Sequence, residues 1–165
     1  MIKISVIIDS SGSMSVLSKN DIIQNVCRNL LLHENLEFKF YSWSDSVKEI
    51  SYEEETLPLN TDGKSNLFKL AEFIRNKNSE NILLLTDGFF DFDEDCAPIK
   101  DLISGSEKLN FRLVGIGADF DEVLATRLFP KNLIAVDKDK FLFTALDLEA
   151  VLESFCATES DEDCL

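Results

Sequence analysis

The chain has 165 residues, a length suited to one domain, and carries 16 Lys and Arg against 31 Asp and Glu, for a formal net charge of -15. That charge repels phosphate backbones and anionic lipid, which excludes nucleic acid and membrane surfaces but leaves open cations and partners that tolerate acidic surfaces. With 45% hydrophobic and 28% charged residues the chain reads as globular, and no stretch is apolar enough for long enough to span a bilayer.

Strand and helix signals alternate from the N-terminus on. Ile2 to Ile8 is a short β-branched apolar run, the pattern of a strand buried on both faces. Ile22, Ile23, Val26, Cys27, Leu30 and Leu31 then recur at helical spacing. Leu36 to Trp43 reads as a second strand and Val47 to Ile50 as a third. Their short link, Ser44-Asp45-Ser46, implies a hairpin and an antiparallel edge. After a polar loop from Glu53 to Gly63, Leu67, Leu70, Ala71 and Ile74 mark a helix, and Ile82 to Leu85 a fully apolar strand. A helix near Pro98 (Ile99, Leu102, Ile103) precedes a strand at Phe111 to Ile116. Phe120, Val123, Leu124 and Leu128 mark a helix, Leu133 to Val136 a last strand, and Leu148, Val151, Leu152 and Phe155 a closing helix. Thr144 and Asp147 are spaced as its capping box.

This order predicts an α/β fold: a Rossmann-like, doubly wound, mostly parallel sheet with one antiparallel edge strand and helices on both faces. One domain is expected over residues 1–156, with an acidic tail over 157–165 that frays. The N-terminus lacks the charged lead, apolar block and cleavage site of a signal peptide. The four cysteines, Cys27, Cys96, Cys156 and Cys164, lack CxxC spacing, so no thiolate zinc site is expected and the thiols read as reduced, in a cytoplasmic protein.

In open parallel sheets ligands bind at the carboxyl ends of the strands. The first strand is followed by Asp9-Ser10-Ser11-Gly12-Ser13, and the Ile82 strand by Thr86-Asp87-Gly88; Thr61-Asp62-Gly63-Lys64-Ser65-Asn66 precedes the second helix. These segments offer carboxylate and hydroxyl oxygen, the donor set of a hard cation such as Mg²⁺. Asp9, Ser11 and Ser13 alternate, so one loop can turn all three side chains toward one point, and Gly12 allows close backbone approach.

With these segments in this strand context, the sequence closely resembles the von Willebrand factor A-type (VWA) domain and its metal-ion-dependent adhesion site (MIDAS). Asp9-Ser10-Ser11-Gly12-Ser13 matches that site's opening DxSxS. Gly63-Lys64-Ser65-Asn66-Leu67 matches the loop that supplies a Thr or Ser, and Leu83 to Gly88 the strand that ends in its Asp. Phe40 to Val47 and Val114 to Gly117 resemble further strands of the family, so the likeness covers nearly the whole chain. The resemblance implies that Ser11, Ser13 and Ser65 contact Mg²⁺ or Mn²⁺ directly, and that Asp9 and Asp87 hold it directly or through water. Ser65 stands where Thr is usual, and Thr61 is the alternative hydroxyl. It also implies a stand-alone adaptor or scaffold whose metal is completed by a Glu or Asp of a partner protein, sometimes an AAA+ ATPase of the MoxR type. The rim is expected to include Ser15, Asn66, Phe89 and Phe90, the aromatics either as interface anchors or packed under the next helix.

Other readings stand beside it. A phosphatase-like hydrolase would use Asp9 as nucleophile, but the acid two residues on is Ser11, which lacks a suitable pKa. A structural domain whose metal only staples loops would lose rigidity, not a partner, on metal removal. The acidic run Asp91 to Asp95 does not complete an EF-hand, since Cys96 and Leu102 stand where Gly and Glu are needed. The one histidine, His33, falls near the end of the first helix, away from the strand ends, so no enzyme is expected.

Overall fold

In the computed structural model, which describes residues 1–77, 81–90, 96–105, 109–130, 134–136 and 145–160, strands and helices alternate as the periodicities require. The strands are β1 (Ile2–Asp9), β2 (Leu36–Trp43), β3 (Val47–Ile50), β4 (Asn81–Thr86), β5 (Asn110–Gly115) and β6 (Ile134–Val136). The helices are α1 (Lys19–Leu30), α2 (Leu67–Asn76), α3 (Ala97–Gly105), α4 (Glu122–Leu128) and α5 (Ala145–Ser160), with a 3₁₀ turn at Gly12–Ser15.

The sheet order is β3-β2-β1-β4-β5-β6. Every neighbouring pair is parallel except β2 with β3, where Trp43 faces Val47 across the tight link. The order reverses direction between β1 and β4, so the loops after those strands diverge and leave a crevice at their carboxyl ends.

Side chains alternate across each central strand, and both sets are apolar. Ile4, Val6 and Ile8 of β1 and Leu83 and Leu85 of β4 pack with Ile23, Val26, Cys27 and Leu30 of α1 and Leu148, Leu152 and Phe155 of α5. Ile7, Ile82, Leu84, Phe111 and Leu113 pack on the opposite face with Leu67, Leu70 and Ile74 of α2, Ile99 of α3 and Leu128 of α4. The doubly wound, mostly parallel sheet with an antiparallel edge is therefore present as the sequence implies.

Two details differ, and the placement of His33 near the end of the first helix holds. Val123, expected on the apolar stripe of α4, is 68% exposed, because a helix of only seven residues has a narrow inner face, met by Ala125 and Leu128. Helix α5 continues to Ser160, so residues 157–160 are helical where a frayed tail was expected; no Gly or Pro follows Phe155 to stop it. His33 lies just beyond α1 in a turn, its N–H donating to the Leu30 carbonyl at 3.1 Å. Leu133, the Thr144 half of the capping box, the Asp91–Asp95 run and the last five residues lie outside the described residues.

Among the described residues no helix is long and apolar enough to cross a membrane. Cys27, Cys96 and Cys156 are buried, partly buried and exposed in turn. Burial pushes the Cys27 thiol well above its ordinary range, which makes it a packing residue and not a nucleophile.

Candidate metal centre

The site forms where three connections meet at the carboxyl ends of β1 and β4. β1 ends in Asp9, and the chain turns sharply, with the Ser10 N–H donating to the Trp43 carbonyl at 2.7 Å. The Ser11 N–H then donates back to Asp9 Oδ1 at 2.9 Å, an Asx-type turn that starts the 3₁₀ segment and turns Ser11 and Ser13 the same way. Their hydroxyl oxygens are 3.2 Å apart.

The loop before α2 is tied to the first by two backbone hydrogen bonds. Gly12 N–H donates to the Gly63 carbonyl at 3.0 Å, and Asp62 N–H to the Ser10 carbonyl at 2.9 Å. These bonds bring Ser65, 3% exposed, against the first loop, where its hydroxyl reaches the Phe89 carbonyl at 3.4 Å. Asn66 caps α2, its side chain accepting from the Lys69 N–H at 2.8 Å, while its carbonyl accepts from the Trp43 indole at 2.8 Å. Asn66 is thus committed to the fold, and it does not line the cavity described below.

After β4, Asp87 Oδ1 accepts from the Phe89 N–H at 3.1 Å, and the Asp87 carbonyl from the Asp121 N–H at 3.0 Å. Thr86 turns its hydroxyl to Asp9 Oδ2 at 2.6 Å and accepts from the Gly88 N–H at 3.1 Å. Asp9 and Asp87 are 1% and 0% exposed. Burial pushes the Asp9 carboxyl up to about 6; hydrogen bonds from Thr86 and Ser11 oppose this, and the nearby Asp87 charge adds to it.

Ser11, Gly12, Ser13, Gly63, Lys64, Ser65, Phe89, Phe90 and Leu124 line an open cavity of about 270 Å³. Apart from Lys64, the polar side chains that line it are hydroxyls, and the two buried acids, Asp9 and Asp87, accept from the N–H groups of Ser11 and Phe89 in its wall. That donor set fits a hard divalent ion. Among the described residues no three His, Cys, Asp or Glu side chains gather as metal ligands, so a cation here would depend on the serine hydroxyls.

Asp9, Ser11, Ser13, Ser65 and Asp87 are brought to this one place. Thr61 does not line the cavity. Ser15 is exposed at the edge of the first loop, its hydroxyl bonded to the Gly12 carbonyl at 2.7 Å. Phe89 and Phe90 part ways. Phe89 is 39% exposed beside the cavity, whereas Phe90 is 7% exposed, with its ring 6.2 Å from that of Trp43 and 5.8 Å from that of Phe129. Phe90 is therefore a core residue that backs the cavity wall and not a rim anchor; with Phe89 and Phe90 adjacent in the chain, the turn after β4 sends one ring out and the other in.

Sequence reasoning missed three contributors. Thr86 anchors Asp9, Lys19 reaches Asp87 from α1, and Asp119 meets the same Lys19 ammonium from the loop after β5. The segments singled out in the sequence do not include the loop after β5, and nothing in the spacing of Lys19 marks it as buried.

No protein-family model matches the chain, and neither does any curated protein. Solved structures do. Proximal thread matrix protein 1 from the mussel byssus, with a zinc-occupied MIDAS motif, superposes with a TM-score of 0.68 at 15% identity over 94% of this chain and 48% of that one. A von Willebrand factor type A structure from Catenulispora acidiphila gives 0.66 at 16% identity, over 93% of this chain and 42% of that one. BatB from Bacteroides thetaiotaomicron gives 0.68 at 9% identity, over 97% of this chain and all (100%) of that one. The chain thus spans less than half the length of the first two structures. It has the VWA-type fold.

Proposed function

We propose that this chain is a metal-dependent protein-interaction module and not an enzyme: it binds Mg²⁺ or Mn²⁺ through Ser11, Ser13, Ser65, Asp9 and Asp87 and offers the metal's outward position to a Glu or Asp of a partner. The single observation that carries the reading is that three serines line one open cavity at the sheet's switch point, while the buried carboxylates of Asp9 and Asp87 accept hydrogen bonds from Ser11 and Phe89 of its lining. Neutral hydroxyls leave a bound cation electron-poor, and a carboxylate that displaces water on it is favoured. The solved VWA structure with a zinc-occupied MIDAS supports divalent binding at such a site in that protein.

The geometry favours this reading over its rivals. The loops are already joined by backbone hydrogen bonds, so a metal is not needed to staple them. Asp9 is 1% exposed with both oxygens accepting hydrogen bonds, a poor placement for a nucleophile, and no acid stands two residues on. An adaptor role in the cytoplasm, beside an AAA+ ATPase of the MoxR type, extends the reading by resemblance.

Titration calorimetry with Mn²⁺ tests the first half. One saturable site is expected, weakened about tenfold or more in Ser13→Ala. Ser13→Ala is a milder probe than Asp9→Ala, which would also strip acceptors from Ser11 and Thr86. A pull-down from the cells that make the protein tests the second half, with Mg²⁺, with chelator, and with Ser13→Ala. Capture is expected in the first arm alone, and the same proteins in all three would sink the adhesion reading. Phosphoester turnover that disappears in Asp9→Asn would favour the hydrolase instead.

A further inference from the structure

Lys19 is the first residue of α1 and is 0% exposed. Both facts are unfavourable on their own. A buried ammonium loses its hydration, and a cation at a helix N-terminus faces the positive end of the dipole. The surroundings supply partners that offset this. The ammonium has three protons and three oxygen acceptors: Asp87 Oδ2 at 2.8 Å, Asp119 Oδ2 at 2.9 Å and the Ser13 carbonyl at 3.1 Å. The ring of Phe89 adds a face at 5.4 Å from Nζ to its centroid. Gly117, at φ +92°, clears the path of the lysine stem, since a Cβ there would lie 2.9 Å from Lys19 Cε.

Two of these partners belong to the metal site. Asp87 is one of its two carboxylates, and Ser13 supplies a hydroxyl to the cavity while its carbonyl holds the lysine. Asp119 competes with Asp87 for the same ammonium and keeps its other oxygen, Oδ1, buried with no hydrogen-bond partner among the described residues. Two carboxylates, Asp87 and Asp119, thus share one fixed positive charge.

We propose that Lys19 is a tethered internal cation that holds Asp87 in place without metal and sets how tightly the site takes a divalent ion, with Asp119 dividing its charge. The proposal rests on the metal-site reading above. Its logic is linkage: a charge that satisfies Asp87 in the metal-free protein removes part of what a metal would gain there. Breaking a buried ion pair from the cationic side leaves carboxylates uncompensated, and a divalent ion is the remedy at hand.

The test is Mn²⁺ titration calorimetry with thermal melts in chelator and in Mn²⁺, on wild type, Lys19→Met and Asp119→Asn. Lys19→Met keeps the unbranched stem and loses the charge. Its metal-free melting temperature should fall, its Mn²⁺ dissociation constant should drop by on the order of tenfold, and its melting shift on Mn²⁺ should exceed that of wild type. Asp119→Asn should move the constant the other way, because it commits the ammonium to Asp87 alone. A purely structural role would lower both melting temperatures without opposite movements in affinity. Wild-type or weaker Mn²⁺ affinity in Lys19→Met overturns the proposal. If Lys19→Met fails to fold with or without Mn²⁺, Asp119→Asn decides: weaker binding upholds the proposal and unchanged binding overturns it. If wild type itself takes up no Mn²⁺, the metal reading fails, and this proposal with it.

Discussion

Asp9 stands under two opposed demands. Its oxygens order the loop by accepting from Ser11 and Thr86, yet its burial penalises the charged form that does this best. Its folded-state value of about 6 lies above the ordinary 3.8, so the folded chain holds the proton more tightly than the unfolded chain does. In the metal-free protein the cost of the charge is absent below the lower value, grows between the two and is complete above the upper one. About two pKa units correspond to ~3 kcal/mol. In chelator, Asp9→Asn should therefore gain stability relative to wild type as pH rises from about 4 to about 7, whatever constant offset the amide introduces. Denaturant midpoints across that range check this, and a difference that does not vary with pH would show that burial does not penalise this carboxylate. The residues DxSxS and TDG were legible in sequence because each lies directly after a recognisable strand. Lys19 was not, because lysine usually lies in solvent, and only three oxygens from separate loops make its burial tolerable.

At the scale of elements, the site depends on how each strand hands over to the next segment. Gly88 follows Asp87 at φ +81°, and a Cβ there would come within 2.9 Å of the Asp121 carbonyl oxygen, a backbone atom that cannot swing aside. Gly88→Ala should cost about 2 kcal/mol from the left-handed backbone alone, with the contact adding to it. Because Asp121 caps α4 through the Leu124 N–H at 2.9 Å and also donates its own N–H to the Asp87 carbonyl, the substitution should loosen α4 together with the site. Urea unfolding checks the first effect, and amide exchange at Leu124 the second; a Gly88→Ala protein as stable as wild type would contradict both. Element identity was legible here because periodicity is local. Boundaries and facing were less so: Val123 lies outside the core and Phe90 inside it, and in both cases the neighbouring elements decided.

For the whole molecule the dominant property is charge. A bound divalent ion cancels two units of the formal net charge of -15, so the loaded protein remains strongly acidic. A partner that brings one carboxylate to the metal must then surround it with basic residues to overcome the repulsion. Association with the partner captured by pull-down should accordingly slow as salt rises from about 50 to about 300 mM, because screening weakens steering between opposite charges. Stopped-flow or surface-binding rates would report this; a rate that rises with salt would mark the partner as acidic overall.

The sequence by itself determined the order of strands and helices, the antiparallel edge and the segments that carry oxygen donors, because these follow from local periodicity, turn length and residue chemistry. Tertiary structure alone decided which hydroxyl lines the cavity. Ser65 does and Thr61 does not, with Gly63 and Asp62 paired to the backbone of the first loop. It also decided that the site contains a cation of the protein's own. Asp87, Asp119 and Ser13 lie far from one another in the chain or on different loops, and their common distance from Lys19 is a property of the folded sheet, which no spacing along the sequence records.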